Sequence, residues 1–313
     1  RLVSDWSSDV CSSDLAAAGV AYGVDAVETF ADLAGAQAAL EKHLKTNLRP
    51  DMPLAIEPDC PYAIYRLGAQ AAARSEIVLA TDLMMAARLI KSTQEIAYLE
   101  KSVAVVEQTV QDMMGGVHLG MSRATLMRAA KIGMMQNGAS GISHVTISFG
   151  ASNPEVEIDE ALQPGKLVTL DLGAIVEGYY SDNRRLMYTA DVPAGMAALH
   201  QTMCAIVDEV AAALGPEKGF GEIYDLAMNL YDRRRLKPFI PNIGHTIGLQ
   251  VEEVWIYAAN RHLRFQPGMV LNLEMYALHE TGELIGDEET YVITETGCRQ
   301  LTRLPTTIRT VKA

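Results

Sequence analysis

The feature that most constrains this chain is a pair of aspartates, Asp171 and Asp182, at the two ends of a glycine-containing turn. The apolar residues 167–170 predict a strand that delivers Asp171 at its end, and Gly173 and Gly178 allow the backbone to double back as a hairpin. Such a hairpin presents both carboxylates to one point. Because two acids on an apolar sheet are costly unless a positive group lies between them, a metal ion is the natural candidate.

The aspartate pair alone is a weak signal, because aspartate is common at strand ends and turns. Three downstream segments strengthen it: one places His245 in a glycine-flanked loop, one ends an apolar strand in Glu274, and one opens another strand with Glu288. In this order and with these flanks, the five residues resemble the pita-bread metallohydrolases, a family that includes methionine and Xaa-Pro aminopeptidases, prolidases and creatinase. The resemblance covers roughly the last two thirds of the chain.

The resemblance implies a site with two divalent metal ions. Asp171 would bind one ion, His245 and Glu274 the other, and Asp182 and Glu288 would bridge the two. The oxygen-rich ligand set suits Mn(II) first, with Zn(II), Co(II) and Fe(II) as alternatives. Glu274 is then expected to carry a proton as well as to bind metal. Any one of these residues, taken alone, is equally explained as a turn former or a solvated charge.

The segments expected to face the substrate differ from those of the family's peptidases. A histidine is expected within residues 150–160, which contain none, and Glu252 stands where a second histidine is usual. Carboxylates at Glu155 and Glu252 would suit a cationic or donor-rich substrate such as a betaine, an amidine or a free amine. We therefore expect Glu252 to act in binding and catalysis, the alternative being a solvent-facing residue at the rim.

Two neighbouring residues receive different interpretations. By resemblance, Arg185 is expected on the substrate side, where its guanidinium would hold a metal-ligand carboxylate in place. His144, on the strand before the aspartate hairpin, is interpreted as structural, because a lone histidine is more often a satisfied structural group than a ligand.

The chain divides into three predicted segments. Residues 1–15 repeat a Ser-Asp pair without helical or strand periodicity and are interpreted as an artefact or a disordered tail. By resemblance, residues 16–90 form a truncated α/β N-terminal domain and residues 91–313 a pita-bread catalytic domain. The catalytic domain opens on Ser92 and Glu95, which have the spacing of a capping box and predict a long helix. Helix, helix and strands then occur twice in order, so the predicted fold is α+β with two αβ halves related by a pseudo-twofold axis.

The net charge and the cysteine content indicate which partners and which cellular setting to expect. The chain has 39 acidic and 26 basic residues and a formal charge of -13, which disfavours nucleic acid or an anionic membrane as a partner. Four cysteines without CxxC spacing favour a reduced, cytoplasmic setting. A homodimer is implied only by the resemblance.

Three functional interpretations follow. The first is a dinuclear metal-dependent hydrolase of a carbon–nitrogen bond in a small substrate or dipeptide, close to the Xaa-Pro peptidases but with an altered substrate side. The second is a non-peptidase of the same fold, similar to dimethylsulfoniopropionate lyases or ectoine hydrolases. The third is a non-catalytic binding module of this fold.

Overall fold

The computed structural model describes residues 32–49, 52–71, 76–151 and 159–311. The chain divides into two compact units, Arg1–Met84 and Met85–Ala313. The boundary lies six residues before the predicted one at residue 90, inside a helix that spans both units. The predicted artefact or tail at residues 1–15 lies outside the described residues.

The described part of the first unit contains both helices and strands. Its two short strands run parallel, with Leu54 paired to Ile77, and a helix connects them as parallel strands require. The elements are α1 (Leu33–Asn47), β1 (Leu54–Ile56), α2 (Tyr62–Ala71), β2 (Ile77–Leu79) and the beginning of α3 (Thr81–Leu89).

The second unit begins with a long helix whose start agrees with the sequence. Ser92 is its N-cap, and the side chains of Ser92 and Glu95 form both hydrogen bonds of a capping box. The first half of this unit then contains α4 (Thr93–Gly116), α5 (Arg123–Gln136), β3 (Gly141–Phe149), β4 (Leu167–Val176), β5 (Tyr179–Tyr180) and β6 (Asn183–Tyr188).

The second half repeats the order of helix, helix and strands. Its elements are α6 (Ala194–Ala213), α7 (Phe220–Arg233), β7 (Asn242–Thr246), β8 (Trp255–Tyr257), a 3-10 turn (Ala258–Asn260), β9 (Val270–Glu274), β10 (Ala277–Leu278), β11 (Leu284–Ile285), β12 (Glu288–Ile293), β13 (Cys298–Gln300) and β14 (Arg309–Thr310).

The two large sheets of this unit have matching strand orders. One has the order β14-β6-β4-β3, with β5 paired to β4, and the other has the order β13-β12-β9-β7-β8. In the first sheet β4 lies between β3 and β6, and in the second sheet β9 lies between β7 and β12. Strands β3, β4 and β6 therefore correspond to β7, β9 and β12, in agreement with the predicted pseudo-twofold arrangement.

The helices of each half cover their sheet with apolar side chains. Residues of α4 and α5 pack with β3 and β4 in one buried cluster, and residues of α6 and α7 pack with β7 and β9 in another. Such burial contributes about 25 cal/mol per Å² of apolar surface and is the main stabilising term. Within the described ranges, no helix is both long enough and apolar enough to cross a bilayer.

Candidate metal centre

Asp171 and Asp182 are held by the hairpin that the sequence predicts. Asp171 lies in β4 opposite Arg184 in β6, and Asp182 directly precedes β6. The chain turns at Glu177 and Gly178, whose φ angles are 52° and 83°. Gly178 adopts this left-handed conformation without steric cost, because glycine has no Cβ, and this favours a turn at that position.

His144, interpreted from the sequence as a structural residue, contacts both aspartates. Its Nε2 lies 3.0 Å from Asp171 Oδ1 and 3.2 Å from Asp182 Oδ1. These three side chains offer ligand atoms that all lie within 4.8 Å of one another. His144 is opposite Gly173, where an added Cβ would lie 2.5 Å from the imidazole ring. The glycine two residues after Asp171 therefore leaves room for the ring.

His245 approaches the same aspartates from the other half of the unit. It lies in β7, is 1% exposed, and its Nε2 is 3.3 Å from Asp182 Oδ2. The ring packs edge-on against Trp255, and its Nδ1 is 3.3 Å from the carbonyl oxygen of Thr246. Gly244, with φ 140°, leaves no space for a side chain, because a Cβ would lie 2.0 Å from the Asn272 carbonyl oxygen.

Glu274 and Glu288 complete the set as cross-strand partners. Glu274 ends β9 and Glu288 begins β12, directly opposite each other. The Tyr276 hydroxyl lies against both carboxylates, 3.3 Å from Glu274 Oε2 and in hydrogen-bond contact with Glu288 Oε1. Glu288 also interacts electrostatically with Asp182. The five residues of the predicted set therefore meet where the two sheets approach each other.

The electrostatics of this cluster depend on crowding and burial. The pKa of Glu274 is raised to about 7, because burial and the neighbouring charges of Asp182 and Asp171 together outweigh the opposing effect of His245. Burial, followed by repulsion from Asp182 and Asp171, raises the pKa of Glu288 well above its usual range. Burial also opposes ionisation of Asp182, but hydrogen bonds to His144 and His245 outweigh it and lower the pKa of that carboxyl.

The donor set fits divalent cations. Glu274 Oε1 is buried and has no hydrogen-bond partner among the described residues. Buried carboxylates that repel one another are stabilised by a positive charge between them. Carboxylate oxygens and imidazole nitrogens suit Mn(II), Zn(II), Co(II) and Fe(II).

Arg184 is a further basic residue beside the site whose contacts were not predicted. Its Nη1 lies 3.8 Å from Asp171 Oδ2, and its guanidinium stacks 4.8 Å from the centre of the Tyr276 ring. Its Nε and Nη2 donate to the carbonyl oxygens of Gly286 and Leu284. These contacts hold a permanent positive charge against the aspartate side of the cluster.

Arg185, predicted on the substrate side, is enclosed by protein partners. Its side chain is 1% exposed, and Nη2 lies 2.7 Å from Glu289 Oε1. Its remaining donors are satisfied by the carbonyl oxygens of Arg184, Glu288 and Leu304. These partners hold the guanidinium in the interior, between the two sheets.

Of the other two predicted substrate residues, the structure describes only one. Glu252 is exposed on the loop between β7 and β8, as the rim alternative expects. Glu155 lies outside the described residues. The acid next to Glu252 is buried instead: Glu253 Oε2 pairs with Lys91 Nζ at 2.6 Å, and Glu253 Oε1 accepts from the Leu249 amide at 3.0 Å.

Comparisons with known proteins agree with this geometry. A model of metallopeptidase family M24 matches residues 97–295. The chain is 26% identical over 251 residues to an uncharacterised peptidase, YqhT, of Bacillus subtilis, covering 78% of this chain and 70% of that protein. It is 24% identical over 257 residues to a Xaa-Pro dipeptidase of Pyrococcus horikoshii, covering 80% of this chain and 73% of that protein.

Solved structures show the same fold. An X-Pro aminopeptidase from Thermotoga maritima matches with a TM-score of 0.79 at 20% identity, covering 92% of this chain and 82% of that one. The prolidase of Pyrococcus horikoshii matches with a TM-score of 0.78 at 23% identity, covering 89% and 80%. Because the family model matches well over half of the 313 residues, the chain belongs to metallopeptidase family M24 and is a metal-dependent hydrolase with the pita-bread fold.

Proposed function

We propose that the chain binds two divalent metal ions through Asp171, Asp182, His245, Glu274 and Glu288 and hydrolyses a carbon–nitrogen bond in a small, dipeptide-sized substrate. The observation that carries this proposal is the meeting of four carboxylates and an imidazole from both halves of one unit, with Glu274 Oε1 buried and unpaired among the described residues. When bound, two divalent ions supply Lewis-acid polarisation of the scissile carbonyl and a nucleophile at neutral pH.

The side chains around the site have distinct roles in this proposal. Glu274 binds metal and moves a proton at its Oε1. The Tyr276 hydroxyl contacts Glu274 Oε2 and Glu288 Oε1, which fixes the orientation of both carboxylates. Contact of His245 with the Thr246 carbonyl oxygen orients the ring so that Nε2 faces Asp182.

The dipeptide class comes from the relatives, among them Xaa-Pro dipeptidases. The substrate side of this chain differs, because residues 150–160 contain no histidine and Glu252 occupies the second histidine position. We assign Glu252 to substrate selection at the rim rather than to catalysis, since its exposure leaves it in water. A substrate with a positive or donor-rich end suits a carboxylate there.

A second candidate is cleavage of a non-peptide bond, as in ectoine hydrolases or dimethylsulfoniopropionate lyases. The absence of both family histidines from the sequence favours it. Loss of a donor to the developing oxyanion typically costs a factor of ~100 to 1000 in the rate of peptide cleavage.

The purified full chain distinguishes these candidates. We expect at least two divalent ions per chain by elemental analysis and metal-dependent cleavage of one member of a panel of Xaa-Pro dipeptides, betaines and cyclic amidines. Glu274→Gln should lower turnover at least ~100-fold while the protein stays folded by circular dichroism. Full occupancy without cleavage of any panel member would refute the dipeptide-sized substrate. Fewer than two ions at saturation would refute the dinuclear site.

Substitution of Glu252 tests its role in selection. Glu252→His should raise turnover of a Xaa-Pro dipeptide, because it restores an imidazole donor at the rim. Glu252→Gln is the matched control, since it removes the charge without supplying the ring. Equal activity of both variants and the parent protein on every substrate would remove Glu252 from the proposal.

Three finer properties are also proposals. Manganese is the metal we expect in the cell, because the site is rich in oxygen ligands. A homodimer and a cytoplasmic location follow from the family and from the sparse cysteines. Sedimentation of the purified chain and fractionation of the producing cell test these two.

A further inference from the structure

A second cluster of metal-ligating side chains lies apart from the candidate metal centre. His200 and Cys204 are four residues apart in α6, which puts them on one face of the helix, and Asp287 directly precedes β12. His200 Nε2 hydrogen-bonds Asp287 Oδ2, and Cys204 Sγ lies 3.7 Å from that nitrogen and 3.9 Å from that oxygen. His200 and Asp287 are each only 5% exposed.

The spacing of these three atoms is close to that of a tetrahedral metal site. With bonds of about 2.0 Å to nitrogen and oxygen and about 2.3 Å to sulfur, neighbouring ligands of a tetrahedral Zn²⁺ lie about 3.3–3.6 Å apart. The two distances to Cys204 Sγ exceed this range by only a few tenths of an ångström. Only the hydrogen-bonded pair of His200 and Asp287 has to separate for an ion to enter.

An independent observation concerns the carboxylate of Asp287. Its Oδ1 is buried and has no hydrogen-bond partner among the residues that the structure describes. A buried carboxylate oxygen normally has a donor or a cation beside it, because leaving it bare is costly. A His–Asp ion pair through Oδ2 alone does not satisfy this atom.

The cluster also has an entry path and room for a fourth ligand. Cys204 and Asp287 line a cavity of about 280 Å³, together with Gln300 and Thr302. A cavity of this size holds water, which commonly fills the open position of a three-residue zinc site. The cysteine is half-buried at this cavity and is not in a disulfide.

We propose that His200, Cys204 and Asp287 bind one transition-metal ion of the Zn²⁺ class, separate from the candidate metal centre. A thiolate, a carboxylate and a neutral imidazole balance the charge of a divalent ion, so the buried site is neutral overall. The thiolate selects for a softer metal than the oxygen-rich set around Asp182 does.

The ion has a consequence for the neighbouring site. Asp287 and Glu288 are adjacent in sequence, and their side chains contact different groups: His200 for Asp287, and Tyr276 for Glu288. Successive residues of an extended chain point to opposite faces. An ion between α6 and Asp287 therefore anchors the segment that presents Glu288.

Cobalt provides a probe that separates the two sites. Thiolate–Co(II) bonds give a charge-transfer absorption in the near-ultraviolet, and the set around Asp182 contains no cysteine. We expect Co²⁺ titration of the chelator-treated full chain to produce this absorption with a final intensity that corresponds to one cobalt-bound thiolate per chain. The absorption should be lost in Cys204→Ser, and His200→Gln should lower the cobalt affinity at least ~10-fold.

Two control variants complete the experiment. Cys298→Ser should keep the absorption, because that cysteine lies outside the cluster. Asp182→Asn should keep it as well, because it alters only the candidate metal centre. A wild-type protein that is folded by circular dichroism but gives no near-ultraviolet absorption at saturating Co²⁺ overturns the proposal. Persistence of the band in Cys204→Ser, or unchanged cobalt affinity in His200→Gln, overturns it equally.

Discussion

At the scale of single residues, the geometry of the site depends on the absence of a side chain at Gly173. Gly173 lacks the Cβ that would lie 2.5 Å from the His144 ring and 2.6 Å from the Ser181 carbonyl oxygen. This allows His144 Nε2 to reach both aspartates. The first half of the unit thereby presents an imidazole from β3, as the second half does from the corresponding strand β7.

Removal of the His144 ring tests whether it supports metal binding. Because groups that contact metal ligands typically contribute a factor of ~10–100 in affinity, His144→Ala should weaken Mn²⁺ binding by that factor. Isothermal titration measures the affinity. His118→Ala is the matched control, since His118 is exposed and its Nδ1 contacts only the adjacent carbonyl oxygen of Leu119. Equal Mn²⁺ affinities of the two variants would show that His144 does not support metal binding and is a structural residue.

At the scale of elements, a buried ion pair fixes the loop that follows β7. Lys91 and Glu253 lie 2.6 Å apart, and each side chain is 1% exposed. A Cβ at Gly248 would lie 2.6 Å from Glu253 Oε1 and 2.7 Å from Lys91 Cε, so only glycine fits between them. The residue before the α4 N-cap is thereby joined to the loop beside His245.

Lys91→Met should destabilise the chain by about 3–5 kcal/mol, because it leaves the Glu253 carboxylate buried without its partner. Urea denaturation followed by circular dichroism measures the free energy of unfolding. Lys218→Met is the control: it breaks a pair whose side chains are 47% and 56% exposed, and it should cost less than about 1 kcal/mol. Similar costs for both variants would contradict the structural role of the buried pair.

At the scale of the whole molecule, the two sheets of the second unit meet along β6 and β12. Arg185 in β6 pairs with Glu289 in β12 and donates to the backbone carbonyl of Glu288. The guanidinium also donates to the Leu304 carbonyl oxygen. One buried side chain therefore connects both sheets and the segment that follows β13.

Arg185→Met should lower the free energy of unfolding by about 3–5 kcal/mol, because it leaves the Glu289 carboxylate buried without its cationic partner. The double variant Arg185→Met/Glu289→Met should recover part of this loss, because no buried charge remains. Chemical denaturation of the single and double variants provides the comparison. A double variant less stable than Arg185→Met would show that the ion pair is not the dominant contribution.

Metal binding should stabilise the whole fold, because the ligands come from both sheets. At about 100 times its dissociation constant, a divalent ion that binds only the folded chain adds about 2.7 kcal/mol. Thermal unfolding with Mn²⁺ and with chelator measures the shift in melting temperature. In Asp182→Asn this shift should shrink markedly. A full shift in that variant would mean that the stabilising ion binds elsewhere.

Much of the fold was predictable because its signals are local. Ser92 and Glu95 predicted the start of α4, and Gly178 predicted the turn of the hairpin, since caps and turns depend on neighbouring residues alone. Gly173, which was also expected at the turn, lies inside β4 instead. The order of helices and strands then predicted two similar halves. The family resemblance rested on the same short segments.

The sequence by itself therefore determined the order of helices and strands and the family, and it predicted the five residues proposed for the candidate metal centre. Only the tertiary structure decided the partners of His144, Arg185 and Glu253 and the meeting of His200 and Cys204 with Asp287. The physical reason is distance along the chain. These partners are separated by 27 residues for His144 and Asp171 and by 162 for Lys91 and Glu253, so no local pattern encodes them. Whether a buried charge meets a ligand, a counter-ion or solvent depends on the packing of whole sheets.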